Sequence, residues 1–250
     1  MGKRKNKGLI AATVTLLGLV YLPVLEVSAD TIVVYGASGR VGGLIVNEAL
    51  NRGHDVIGVS RNPDSLINDH PKFSAVAGDV TQLASVLEVI TETDVVVISV
   101  RGVGPSNSPD DAITSLAAKT FVQAATELGD AAPHVIQISG GTTLWRNGVW
   151  GLDDPKLEPG TANHAQYFGH WQAIETYRYS KDMQWTVITP PPSAMSSAER
   201  TGEYRLGEDE ILFNAEGSSF ISTEDFALAV IDEAETAQSA GKRVTVGPLM

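Results

Sequence analysis

Gly36, Gly39 and Gly42 stand at a GxxGxxG spacing directly behind the apolar run Thr31–Tyr35. Glycines do not react; at this spacing they make room for an anion. One permits a tight turn, one lets the backbone approach a phosphate, and one lets a helix pack closely on a strand. Ser38, Arg40 and Val41 lie between and beside them. A helix starting here would offer its N-terminal N–H groups and dipole to negative charge. Because the motif follows a strand, opens a helix and sits in a unit of about thirty residues, it predicts a cradle for a dinucleotide pyrophosphate. That unit ends Gly58-Val59-Ser60-Arg61-Asn62, with no acid until Asp64. A carboxylate at this point would hold the ribose hydroxyls of NAD and repel a 2′-phosphate. Ser60 can instead donate a hydrogen bond, and Arg61 can pair bidentately with a phosphate. Arg40 adds a second positive charge. The expected cofactor is therefore NADP(H), with NAD(H) possible.

Other reactive residue types are sparser. His164, His170 and Glu175 are metal-ligand types, but their spacings do not share one helix face, so no metal is expected. Asp153-Asp154 before Pro155 reads as a solvated turn, and Asp94 as the start of a strand. Ser139 precedes Gly140-Gly141, and nothing nearby specifies the base and oxyanion hole that a nucleophile needs. The chain has no cysteine, which excludes disulfides, thiol catalysis and cysteine metal sites.

The elements that must position these residues alternate. Thr31–Tyr35 reads as a buried strand, Leu44–Leu50 as a helix stopped by Asn51-Arg52-Gly53, and His54–Ser60 as a second strand. Beyond them come a short helix at Pro63–Asn68, a strand at Phe73–Ala77, a helix at Thr81–Ile90 and a strand at Asp94–Val100. A long helix spans Asp110–Leu128, followed by a strand at His134–Ser139, a helix at Ala162–Lys181 and a strand at Trp185–Thr189. Such alternation predicts an α/β fold: a doubly wound, Rossmann-type parallel sheet in a single domain. After Pro190-Pro191-Pro192 the pattern changes. Glu203–Leu206 and Ile211–Asn214 read as two short strands of a hairpin-like insertion. Ser222–Thr236 reads as a helix with Ser222 and Asp225 as a capping box, and Val244–Val246 as a last strand. Gly140–Thr161 and Pro190–Gly202 both follow strand C-termini, where open α/β sheets bind ligands, and are expected to form the substrate side together with that insertion.

The first 29 residues have a different character. Lys3, Arg4, Lys5 and Lys7 precede an uncharged apolar run, Gly8–Leu25, and Val27-Ser28-Ala29 is a small-residue cleavage pattern. This predicts a secretory signal peptide, or an uncleaved membrane anchor, with residues 30–250 as the NAD(P)-binding domain. Either way the domain is exported, periplasmic or extracellular; a true start downstream of Met1 would leave it cytoplasmic. Taking four basic residues and one acid (Glu26) from totals of 18 and 30 leaves 14 basic against 29 acidic residues, a formal charge of −15. Such a surface repels nucleic acid and anionic membranes. No nucleic-acid partner is expected, and a membrane only if the leader is uncleaved; the oligomeric state is left open.

VVYGASGRVG, the SRNP after strand two, the GDV after strand three, WTVITPP, and above all ERTGEYRLGEDEILFNAEGSSFISTEDFALAVIDE resemble the NADH-flavin reductases. These are atypical short-chain dehydrogenase/reductases, similar more distantly to NmrA-like proteins and biliverdin-IXβ/flavin reductases. The resemblance covers most of Thr31–Gly247. It implies NAD(P)H binding, a small-molecule acceptor such as a flavin or quinone, and a role for Asp79 and Val80 at the adenine, the one accepting from the amino group and the other donating from its backbone.

Short-chain dehydrogenases commonly use a Ser–Tyr–Lys set. Tyr177 and Lys181 have the YxxxK spacing but lie too close to the sixth strand and read as a chance match. The better register takes Ser139 and Tyr167, with Trp171 in the lysine's place, so the usual depression of the tyrosine pKa is lost. Hydride transfer to a flat acceptor needs no such acid, only two rings held in contact. Trp145, Trp150, Tyr167, Phe168 and Trp171 could wall such an acceptor or could be core and rim packing. An NAD(P)H-dependent reductase is therefore expected. Its rivals are a non-catalytic redox sensor of NmrA-like type and a nucleotide-sugar epimerase or dehydratase.

Overall fold

The computed structural model describes residues 29–181, 183–192 and 199–250. The expected leader lies outside them apart from Ala29, as does part of the Pro190–Gly202 stretch. The chain runs β1 (Thr31–Tyr35), α1 (Arg40–Asn51), β2 (Asp55–Ser60), β3 (Phe73–Ala77), α2 (Leu83–Ile90), β4 (Val95–Ile98), α3 (Ile113–Leu128) and β5 (His134–Ile138). It continues through a two-residue pair, β6 (Trp145–Arg146) and β7 (Val149–Trp150), to α4 (Ala162–Tyr179), β8 (Trp185–Thr189), β9 (Arg205–Gly207), α5 (Thr223–Thr236) and β10 (Lys242–Gly247).

The main sheet has the order β3-β2-β1-β4-β5-β8-β10-β9, parallel throughout except for the antiparallel β9. Its central strands, Val95–Ile98 above all, are β-branched because both faces are covered. On one face α1 and α5 pack over Ile32, Val34, Val97, Ile136 and Ile188. On the other α2, α3 and α4 pack over Val33, Tyr35, Val96, Ile98 and Val187. From β1 the chain winds outward to β2 and β3, then returns to place β4 on the other side of β1. The strand order reverses between β1 and β4, and the crevice at such a point is where doubly wound sheets take ligands.

Three expectations are corrected. Pro63–Asn68 holds only a single 3₁₀ turn, Pro63–Ser65. The Asp110–Leu128 helix is broken at Ala112, whose extended backbone separates the turn Pro109–Asp111 from α3. The insertion is not a hairpin. Arg205–Gly207 pairs with β10, and 211–214 forms no strand. The side chain of Arg205 donates to the carbonyls of Pro248 and Phe213, at 2.8 and 2.7 Å, and draws the segment after β9 across the sheet edge. Of the expected capping box, the N-cap bond is present: Ser222 Oγ accepts from Asp225 N–H at 2.9 Å.

Candidate cofactor and substrate site

A cavity of about 300 Å³ lies at the reversal point. The ends of four strands line it: Gly36, Ser38 and Gly39 after β1, Ser60 and Arg61 at β2, Gly78, Asp79 and Val80 after β3, and Ser99, Val100 and Arg101 after β4. The three glycines divide the work. Gly36 has φ +81, and a β-carbon built on it would lie 2.2 Å from Ser99 O. It makes the turn. A β-carbon on Gly42 would lie 2.2 Å from Gly36 O, so this glycine lets α1 close onto the turn. Gly39, the N-cap of α1, has φ −78, and its β-carbon would meet only Gly36 O, at 3.2 Å. What a side chain at Gly39 would chiefly occupy is the cavity. Val41 and Gly42 sit in the first turn of α1, where a helix has N–H groups without intrahelical acceptors.

The β2 side of the cleft is basic. Arg61 is exposed and, among the described residues, makes no ion pair or hydrogen bond. Ser60 Oγ accepts from Asn62 N–H at 3.2 Å. Arg40 points elsewhere: its Nη1 donates to Thr223 Oγ1 at 3.2 Å, and it lines a neighbouring cavity behind the glycine turn. Asp79 Oδ1 accepts from the N–H and hydroxyl of Thr81, at 2.9 and 2.7 Å, which leaves Oδ2 for a further donor. Tyr35 lines the cleft with its hydroxyl buried and unpartnered among the described residues. Burial, then the charge of Asp79, raises its pKa above the ordinary tyrosine value, so it stays a neutral donor. An orphaned hydroxyl, a cradle that a β-carbon would fill and an unpaired guanidinium fit a dinucleotide phosphate and base.

The expected catalytic pair is not held together by a hydrogen bond. Ser139 is buried at the end of β5 with its Oγ unpartnered among the described residues. Tyr167 is half-buried and forms no hydrogen bond among the described residues. The inward stripe of α4 is Gln166, Gly169, His170, Ala173, Ile174 and Tyr177, one position round from the register that picks Tyr167 and Trp171. Tyr177 is fully buried and its hydroxyl donates to Gln137 Oε1 at 2.7 Å, a core role consistent with a chance YxxxK match. The five aromatics do not line the cleft. Trp150 packs on three of the others, stacked on Trp145 at 6.0 Å and edge-on to Phe168 and Trp171 at 6.4 and 4.9 Å, with Nε1 donating to Thr143 O. Among the described residues no group of three or more histidines and acids is placed to hold a metal ion.

Two features in or beside the cleft were missed from sequence. Arg101 lines the cavity, exposed and without an ion pair or hydrogen bond among the described residues. Gln166 accepts from Gly102 N–H at 2.7 Å and meets the buried His170. The available signal was the small and apolar stripe Ala165, Gly169, Ala173, Ile174, which fixes the inward face and leaves Gln166 and His170 as polar residues on it.

The strand order and the cleft at its reversal define a Rossmann-type dinucleotide-binding protein. Residues 36–237 match the NAD(P)H-binding family, and the chain belongs to it. It is 27% identical over 218 residues to the uncharacterised protein YwnB of Bacillus subtilis, covering 85% of this chain and 96% of YwnB. A provisionally named epimerase from Bacteroides thetaiotaomicron superposes with a TM-score of 0.72 at 28% identity, covering 89% of this chain and 98% of its own. A provisionally named NADH-flavin reductase from Streptococcus pneumoniae gives 0.68 at 22% identity, covering 88% and 100%, and shares the fold.

Proposed function

We infer that the protein is an NADPH-dependent reductase of a flat, easily reduced acceptor such as a flavin or quinone. The observation that carries the reading is the cleft itself: a glycine cradle with Arg61 and Arg101 on its wall, both unpaired among the described residues, and Trp171 in place of the lysine four residues after Tyr167. The nicotinamide, when bound, supplies the hydride. Gly39 and the first turn of α1 seat the diphosphate, Asp79 and Val80 receive the adenine, and Ser60 with Arg61 take the 2′-phosphate. Epimerisation would need a proton-transferring residue of tuned pKa, and Trp171 in the lysine's place gives Tyr167 no such neighbour. The packing of Trp150 against its neighbours rather than into the cleft favours a second reading, dinucleotide binding without turnover. Loss of NADPH absorbance on addition of flavin mononucleotide separates them: turnover supports the reductase, and tight binding without turnover supports the sensor. The leader-like residues 1–29 support export, and a provisionally named exported protein from Burkholderia pseudomallei resembles this chain at 28% identity with a TM-score of 0.71.

A further inference from the structure

His170 is more than nine-tenths buried, and its ring lies against Gly140, where a β-carbon would stand 2.9 Å from Cδ2. Its protonation can be worked out from the backbone. Gly102 N–H can only donate, so the Gln166 atom 2.7 Å away is the amide oxygen. The other end of that amide, 3.1 Å from His170 Nε2, is therefore NH₂, and a donor there makes Nε2 an acceptor. A neutral imidazole with an unprotonated Nε2 carries its proton on Nδ1. Burial, and then the charge of Arg101, hold the His170 pKa down to about 4, so the ring is neutral at pH 7. Among the described residues the Nδ1–H so defined is a buried donor with no partner, and the Ser139 hydroxyl, one residue before Gly140, is likewise buried and unpartnered.

A buried donor without an acceptor is costly, and a ligand oxygen that completes it recovers that cost. Ser139 follows β5, the His170 ring of α4 packs on Gly140 just beyond it, and Gln166 joins that ring to Gly102, the residue after the cleft-lining Ser99–Arg101. We propose that His170 is a recognition residue whose Nδ1–H, with the Ser139 hydroxyl, receives a carbonyl oxygen at the nicotinamide end of the cleft. That oxygen belongs either to the nicotinamide carboxamide or to the acceptor. The proposal rests on the reductase reading for its ligands, while the tautomer stands independently of it.

Long-range ¹⁵N–¹H correlation of the histidine rings in the full chain reads the tautomer directly, with His170→Asn identifying the signal. The expected result is Nδ1–H. An Nε2–H tautomer in the wild type overturns the proposal. Gln166→Glu, which replaces the amide donor with an acceptor, should return a proton to Nε2. The ligand arms use NADPH, 2′-phospho-ADP-ribose and flavin mononucleotide. A shift of the His170 Nδ1–H signal with NADPH but not with the fragment lacking nicotinamide identifies the carboxamide. A shift only with the flavin identifies the acceptor. No shift at His170 when NADPH and flavin both bind overturns the proposal; failure of either to bind at all counts instead against the reductase reading. His170→Phe should lower kcat/KM about tenfold, the scale for one lost hydrogen bond to an uncharged oxygen. His170→Asn, whose side-chain amide reproduces the Nδ1 donor, should recover part of it.

Discussion

Arg61 stands at the mouth of the cleft without a partner among the described residues, whereas Arg40 is tethered to Thr223. The difference bears on cofactor choice, because only an uncommitted guanidinium can give both its donors to a 2′-phosphate. Arg61→Ala should weaken NADPH binding by tenfold or more, about 1.4 kcal/mol, and NADH binding much less. Dissociation constants for both cofactors decide it, and equal losses remove Arg61 from the phosphate site. Gly39→Val should weaken cofactor binding while leaving the unfolding midpoint little changed, since its β-carbon meets only one carbonyl; normal NADPH titration by this variant would move the phosphate elsewhere. Tyr177→Phe tests the opposite case. Losing the donor to Gln137 leaves a buried acceptor unpaired, at roughly 1–3 kcal/mol of stability, with reductase activity unchanged. At this scale the sequence was most legible where backbone geometry dictates residue type. The glycine cradle, Ser60 and Arg61 all reach the cleft, while the direction of Arg40's side chain depends on α5, about 180 residues away in sequence.

The elements were legible where periodicity carried them. Phe73–Ala77 and Trp185–Thr189 fall at the expected residues, the second announced by its local β-branched run. Pairing is not local, so the partner of Arg205–Gly207 was misread: β10 offers it an edge that no neighbouring residue reveals. The same limit hid the rotation of α4, which turns His170 inward in place of Tyr167. The N-terminus of α5 shows how an element can anchor a distant loop. The Asp225 carboxylate accepts from Ser222 Oγ, from the N–H and hydroxyl of Thr201, and from Gly202 N–H at 2.8 Å. Burial opposes ionisation, but these donors outweigh it and leave the pKa below the ordinary aspartate value. Asp225→Ala should cost about 1–3 kcal/mol and speed amide hydrogen exchange at Thr201 and Gly202. Unchanged exchange there would mean that the loop is held by other contacts.

For the whole molecule, acid is the revealing stress. His134 and His170 are both held down to about pKa 4, in each case chiefly by burial. Thr186 Oγ1 lies 2.6 Å from Glu233 Oε1 and donates to it, so it accepts from His134 Nε2–H at 3.0 Å. In the unfolded chain both rings take up a proton near pH 6.5. Between about pH 6.5 and 4 the unfolded state therefore binds more protons, and stability should fall as the pH is lowered through that window, while being fully present above it. Denaturant titrations across the range test this. The double variant His134→Gln, His170→Asn should flatten the slope, and an equally steep slope would assign the acid sensitivity to other groups.

One feature of the sheet reaches into the synthesis of the chain. β10 is translated after both of its neighbours, yet it lies between them, joining β8 on one side and β9 on the other. It also carries Arg243, whose buried guanidinium binds Thr143, Thr189 and Asp209. On the ribosome, therefore, the emerging β8 presents an open edge of Trp185, Thr186, Val187, Ile188 and Thr189, β-branched and uncharged, for as long as the next fifty or so residues take to appear. Such an edge is a template for another nascent chain. A chain stopped before Lys242 should keep that edge permanently and collect in inclusion bodies, while a chain stopped after Gly247 should not.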